Sequence, residues 1–266
     1  TSSNDNWGNP SPFIQGPIND IIETDDNHFI TLSSQIVKTD SLYNKIWRIL
    51  VPSTEFYSIT SYDNNIFYAV GSKFDNNTNQ TDRIFLKFNS TGNILYSKEY
   101  NDSDCNISSS NAKYEPEYFS SIDTTIDNNL ILSGVVSTNC TSPTNYKHIG
   151  FIQKIDLSGN IIWTKWFNDI NDRHSVIKTV KSTNDGGFIS VGSLDDNNNG
   201  NGYDYSTTGY ICKSDLDGNG CSTTDNFIVI NEVKDLQKEI ILIENPIKNK
   251  QVYINSSEQL SKYEII

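Results

Sequence analysis

Short apolar runs rich in Ile, Val, Phe, Tyr and Trp recur along the chain, and clusters of Asn, Asp, Ser, Thr and Gly separate them. Apolar and polar positions alternate within many runs. That period of two, bounded by turn residues, predicts half-buried β-strands. Residues 232–243 (EVKDLQKEIILI) read equally well as a short helix or, over the last five, as a strand.

The pattern repeats. A run ends in Lys, skips one residue, then has Asp or Asn, two residues, Gly-Asn and an apolar-aromatic run. The copies are Lys154, Asp156, Gly159, Asn160, Trp163; Lys87, Asn89, Gly92, Asn93, Tyr96; Lys38, Asp40, Tyr43, Asn44, Trp47, with Tyr in the Gly place; and Lys213, Asp215, Gly218, Asn219, followed by Cys221. The Asp/Asn falls at 40, 89, 156 and 215, so the intervals are 49, 67 and 59 residues. This suits a four-stranded unit with variable loops better than a leucine-rich or ankyrin solenoid. Gly-Asn predicts a tight hairpin turn with two residues that tolerate positive φ, capped by the Asp or Asn side chain. The aromatic is expected to pack between neighbouring sheets.

A second turn precedes each copy: Asp26-Asn27-His28, Asp63-Asn64-Asn65, Asp127-Asn128-Asn129 and Asp185-Gly186-Gly187. A strand follows each, and in three copies a glycine comes next: Gly71, Gly134 and Gly192. The expected fold is all-β: a β-propeller-like repeat of about four four-stranded blades over residues 1–230, with the N-terminal WGNPSPFIQG segment available to close the circle on the last blade. A disulfide-bonded β-sandwich is the alternative.

Charge narrows the partners. The chain has 266 residues, 33 acidic against 20 basic, and a net charge of −13. Such a surface repels phosphates and anionic lipid, so nucleic acid is not an expected partner. No apolar run approaches the length of a transmembrane helix. Thr1 and the lack of a leader suggest a processed or trimmed product. Four cysteines suggest two disulfides in an oxidising compartment. Cys212 and Cys221 flank one turn and form the natural hairpin bridge, which leaves Cys105 with Cys140. A four-cysteine zinc site is the other reading, but no C-x-x-C pair is present.

Gly186–Ser193 (GGFISVGS) and Lys154–Trp163 resemble the repeats of secreted Bacteroidetes proteins. Residues 240–266 look like the opening of the type IX secretion sorting domain, through Asn245, Pro246, Ile247, Lys248 and the Val252–Ile254 run. Glu244 stands where that family has Pro, and the chain stops before the family's later strands. The resemblance implies a partial β-sandwich-type sorting tail over residues 231–266, export by type IX secretion, and residence outside a Gram-negative cell or on its outer-membrane surface. Asp40-Ser41-Leu42 and Asp123-Thr124-Thr125 match the short O-glycosylation motif of such proteins, which nominates Ser41 and Thr124.

Candidate chemistry is sparse. Asp215, Asp217, Asn219 and Gly220 spell the opening of a calcium loop, with Asn226 where an EF-hand needs Glu. The same residues form the repeat's hairpin turn, and turn chemistry explains them equally. Asp195, Asn197, Asn199 and Gly200 open a similar loop, which reads as a solvated tract. His28, His148 and His174 lie in different repeats without metal-ligand spacing, and no nucleophile elbow or phosphate loop is present. Trp47 and Trp163 occupy the packing position; Trp166 has no repeat counterpart and Trp7 lies in the polar N-terminal segment, and for both core burial is the better reading, with stacking on a sugar ring the alternative. These features predict a cell-surface binding or structural protein, an adhesin-like module or a subunit of an outer-membrane complex, and not an enzyme. A polysaccharide-acting enzyme or carbohydrate-binding module is the alternative, because two glycosidase carboxylates need no sequence proximity.

Overall fold

A computed structural model of the chain describes residues 17–77, 80–101, 117–138, 147–167, 174–196, 206–220 and 228–230. Within them sixteen strands form four four-stranded antiparallel sheets and there is no helix. Sheet 1 holds β1 (Asp20–Thr24), β2 (His28–Leu32), β3 (Ile36–Thr39) and β4 (Lys45–Ile49). Sheet 2 holds β5 (Thr54–Ser61), β6 (Ile66–Asp75), β7 (Gln80–Asn89) and β8 (Ile94–Tyr100). Sheet 3 holds β9 (Tyr118–Thr124), β10 (Leu130–Thr138), β11 (Lys147–Ile155) and β12 (Ile161–Phe167). Sheet 4 holds β13 (His174–Ser182), β14 (Phe188–Asp196), β15 (Ser206–Ser214) and β16 (Ile228–Ile230). Each sheet is a meander in chain order, so each sequence repeat is one sheet. The tail over residues 231–266 lies outside the described residues.

The first strands touch in series, β1 to β5 to β9 to β13. Their side chains cap the next strand's backbone: Asp20 accepts from the Ile59 N–H at 2.9 Å, and Asp123 from the Ser182 N–H at 3.0 Å. Between successive sheets lie three apolar cores. Ile30, Leu32 and Ile36 of sheet 1 meet Phe67, Leu86 and Phe88 of sheet 2. The alternate residues of the same strands, Tyr68, Val70 and Phe85, meet Leu130, Phe151 and Ile155 of sheet 3. Ile131, Ile152 and Phe167 then meet Val180, Phe188 and Tyr210 of sheet 4. Because both faces of β6 and β7 are covered, their sequences run nearly continuous in apolar residues rather than alternating.

The repeat's turn has one residue of positive φ: Tyr43 at 63°, Gly92 at 83°, Gly159 at 79° and Gly218 at 75°. The next residue, Asn44, Asn93, Asn160 or Asn219, keeps negative φ. Its role is different from the one its tolerance of positive φ suggests. Its N–H donates to the side-chain oxygen of the turn's Asp or, in sheet 2, of Asn89, and in the three Asp copies its side-chain amide donates to the same carboxylate, as Asn160 does to Asp156 at 2.8 Å for both bonds. The geometry is a type I turn closed by a left-handed residue, with a bulge in the adjoining ladder.

Those turns lock the sheets together. Trp47 of sheet 1 lies against Gly92 of sheet 2, where an added Cβ would stand 2.9 Å from the indole, and its Nε1 donates to the Ser90 carbonyl at 2.9 Å. Trp163 of sheet 3 lies the same way on Gly218 of sheet 4, with a Cβ contact of 2.8 Å. The sheet 2–sheet 3 lock is made by Tyr100, whose hydroxyl donates to the Gly159 carbonyl at 2.6 Å. Tyr96, which holds the sequence position of the tryptophans, is exposed instead.

The glycines after the second strand answer to another constraint. The facing first strand bulges toward them, so a Cβ on Gly71 would fall 1.9 Å from the Glu55 carbonyl oxygen, and on Gly134 2.3 Å from that of Tyr118. Gly71→Ala is therefore expected to cost about 3 kcal/mol, because backbone rather than a flexible side chain must move. Gly209→Ala meets nothing within 4 Å and is expected to be neutral or slightly stabilising. Urea denaturation midpoints of the two variants check the contrast.

Candidate functional site

A meander places alternate connections at opposite ends of its sheet. At one end lie the repeat's tight turns, after the first and third strand of every unit. At the other lie the loops after the second strand and the crossings between sheets. The two ends differ in kind. The turn end is alike in sheets 1, 3 and 4 and departs in sheet 2, whereas the loop-end connections range from residues 33–35 up to the long segment between β8 and β9.

The turn end is chemically closed. After the first strand of sheets 1, 3 and 4, a threonine hydroxyl (Thr24, Thr125, Thr183) donates to the carboxylate two residues on, and the following residue has positive φ: Asn27 at 57°, Asn128 at 59°, Gly186 at 86°. That carboxylate pairs with the repeat's lysine: Asp26 with Lys38 at 2.8 Å, Asp127 with Lys154 at 2.7 Å, Asp185 with Lys213 at 3.0 Å. Lys38 and Lys154 are buried. Burial opposes ionisation of Asp127, but hydrogen bonds from Lys154, Thr125 and Asn129 outweigh it and hold its carboxyl below the usual range. Asp26 is held low in the same way by Lys38 and Thr24, and Asp185 by Thr183 and Lys213. Sheet 2 departs from this. Tyr62 donates its N–H to the Ile66 carbonyl, which shifts the turn by one residue and puts Asn64 in the carboxylate's place. Lys87 Nζ lies instead 5.4 Å from the Tyr68 ring centroid.

The calcium candidates belong to this end. Asp215 accepts from the N–H groups of Asp217 at 3.0 Å and Asn219 at 2.8 Å, and from the Asn219 amide at 3.2 Å. Asp40 and Asp156 are engaged in the same way. The Asp215 carboxylate caps its own turn, and no group of three His, Cys, Asp or Glu able to hold a metal occurs among the described residues. Most of the Asp195–Gly200 tract lies outside the described residues. Ser41 is exposed at a turn tip, while Thr124 is part of β9, with its carbonyl accepting from Ser182 Oγ at 2.6 Å across the sheet 3–sheet 4 contact. Cys212 is buried and disulfide-bonded; Cys105, Cys140 and Cys221 lie outside the described residues, as does Trp7. Trp47 and Trp163 pack against the cores, and Trp166 is 46 % exposed.

The loop end carries the residues that break the repeat. Arg83 is fully buried, its guanidinium 4.9 Å from the Phe151 ring centroid and 5.2 Å from that of Phe119, with Glu117 at 3.8 Å from Nε. Its counterparts in sheets 3 and 4 are Gly150 and Gly209. Asp82 beside it is 8 % exposed, and burial, then the Glu99 and Asp75 carboxylates, push its pKa up. Between sheets 3 and 4, His148 and His174 meet with ring centroids 5.3 Å apart; the His148 N–H donates to His174 Nδ1 at 3.3 Å. His148 Nδ1 lies 3.2 Å from Ser137 Oγ, a buried hydroxyl. The sequence left these histidines apart because they are 26 residues distant; their matching places at strand ends in successive sheets were the available signal.

No protein-family model and no curated protein matches the chain. No helix among the described residues is long and apolar enough to cross a membrane.

Because Asp26, Asp127 and Asp185 are depressed in the fold, their contribution is present above the unfolded carboxyl pKa of about 4 and is lost as pH falls below it. Asp127→Asn leaves Lys154 buried without its carboxylate and is expected to cost about 1–2 kcal/mol at pH 7, discounted for partial exposure. It should also flatten the fall in stability between about pH 5 and pH 3, read by denaturation at each pH.

Proposed function

We propose that this chain is a β-propeller-like scaffold of four blades that works as a secreted binding or structural module on the surface of a Gram-negative bacterium. The first strands, in contact in series, are the inner strands of the blades. The loop end is the binding surface. The observation that carries this reading is the division of the two ends: recurring, locally hydrogen-bonded turns on one side, with one departure in sheet 2, and divergent loops with unit-specific buried charges on the other. Loops on a rigid frame are where recognition residues accumulate. The net charge of −13 disfavours nucleic acid and suits a protein partner with a basic face.

The tail over residues 231–266 supports delivery by type IX secretion, through its Asn245-Pro246 strand-turn pattern. The partner is a protein of the outer membrane or of that machinery, and the role is that of an adhesin-like module or complex subunit rather than an enzyme. The half-exposed ring of Trp166 favours a glycan as the second reading.

Extraction of the protein from its host's outer membrane in mild detergent, followed by identification of stoichiometric partners, tests the first reading. One protein partner is expected, lost when the β8–β9 loop is replaced by a short turn and kept when Asp215 is changed to Asn. Recovery of the protein alone, with retention on a polysaccharide column, would favour the glycan reading.

A further inference from the structure

The face of sheet 2 that looks toward sheet 1 changes character at the loop end. On β7 the side chains of Ile84, Leu86 and Phe88 enter the first core, and Asp82 is the next residue along that face. Register sets Lys73 of β6 opposite Asp82, Asp75 opposite Gln80, and Glu99 of β8 opposite Ile84. Asp75, Asp82, Glu99 and Lys73 therefore share this face.

Packing does not explain Asp82. Its place is held in sheet 3 by Ile149, which packs against the second core, and in sheet 4 by Thr208. Asp82 is only 8 % exposed, and its Oδ1 is buried without a hydrogen-bond partner. A carboxylate oxygen held in that state costs free energy in the folded chain. The nearest cations are directed elsewhere. Lys73 Nζ bonds Glu99 Oε1 at 2.5 Å. Arg83, next along β7, lies on the other face of sheet 2 against Phe119 and Phe151. Burial, then the Glu99 and Asp75 carboxylates, disfavour ionisation of Asp82, and the positive charges of Arg83 and Lys73 offset this only in part. The face is also fixed in place: at the end of β6 the Phe74 N–H donates to the Ser53 carbonyl of the crossing from sheet 1 at 2.8 Å.

We infer that Asp82, flanked by Asp75 and Glu99, is the binding point for an arginine side chain of the protein partner, at the sheet 1–sheet 2 side of the loop end. This deepens the binding reading of that end and rests on it. Three carboxylates against one ammonium leave the face negative, which draws a basic partner. A guanidinium suits the place better than an ammonium. It is more weakly hydrated, so it enters a desolvated site at lower cost, and its fork of N–H donors engages both oxygens of one carboxylate. A metal ion would need a ligating group of three, and none occurs among the described residues.

The probe is the blocked peptide acetyl-GRGRG-amide, titrated at low salt into the full chain and followed by NMR through the backbone amides of Lys73, Asp82 and Arg83. Saturable shifts are expected, with affinity weakened about tenfold or more in Asp82→Asn and unchanged in Asp217→Asn, an exposed acid of the turn end. The same peptide with citrulline for arginine, which keeps the shape and loses the charge, is expected not to bind. Asp82→Asn is expected to unfold at a urea concentration no lower than the wild type. Failure of the arginine peptide to bind, equal binding by Asp82→Asn or by the citrulline peptide, or a lower urea midpoint for Asp82→Asn would each overturn the site. In the outer-membrane extract the partner is expected with the wild type and lost with Asp82→Asn. A partner held equally by both would overturn the site and leave the loop-end reading standing; no partner with either would remove that reading and the site with it.

Discussion

The structure depends on a steric constraint at one backbone position per repeat. The turn between the third and fourth strands needs a residue of positive φ, and the neighbouring sheet needs that residue to have no side chain. Glycine meets both demands at 92, 159 and 218, where Trp47, Tyr100 and Trp163 close over it. A turn residue therefore does more than reverse the chain. It sets the spacing at which two sheets bury their facing Phe, Ile and Leu side chains, and those cores, at about 1.5–3 kcal/mol for each large side chain, hold far more free energy than any of the surface pairs.

Much of this was legible in the sequence. The repeat, its four-strand content, the turn positions and the packing role of Trp47 and Trp163 follow from period and turn chemistry, which act over a few residues. What escaped depends on contacts between repeats. The turn asparagine reads as a tolerant backbone residue, yet its amide is what the fold uses. Asp26, Asp127 and Asp185 read as turn formers, and their pairing with the repeat's lysine appears only when the strands are in register. The one-residue shift in the sheet 2 turn was hidden because Asp63-Asn64-Asn65 looks like its counterparts. Tyr100 was missed because it lies four residues beyond the expected aromatic. A cation loop and a capped turn place carboxylates and amides at the same spacing, so the sequence around Asp215 carries both readings, and the structure describes the capped turn.

The same division separates scaffold from site. Where repeats agree, local hydrogen bonds engage the polar groups: Asp40, Asp156 and Asp215 each accept from their own turns through both carboxylate oxygens. Where repeats disagree, unit-specific polar groups stand at the roots of loops: Arg83 is buried among Phe119 and Phe151, and the half-buried His148 meets His174. Burial of such groups costs free energy unless they are satisfied; at the turn end the buried Lys38 and Lys154 recur from repeat to repeat with their carboxylates, whereas at the loop end the buried charges differ between units. The proposed binding role rests on that asymmetry.

A double-mutant cycle between Trp163 and Gly218 tests the lock most directly. Gly218→Ala carries the cost of positive φ in any background, and in the wild type it also drives a methyl group into the Trp163 ring. The account predicts that Gly218→Ala destabilises the wild-type protein by clearly more than it destabilises the Trp163→Ala variant, with a coupling of about 1 kcal/mol or more in urea denaturation. Equal costs in the two backgrounds would mean that the turn and the neighbouring aromatic are energetically independent, and would contradict it.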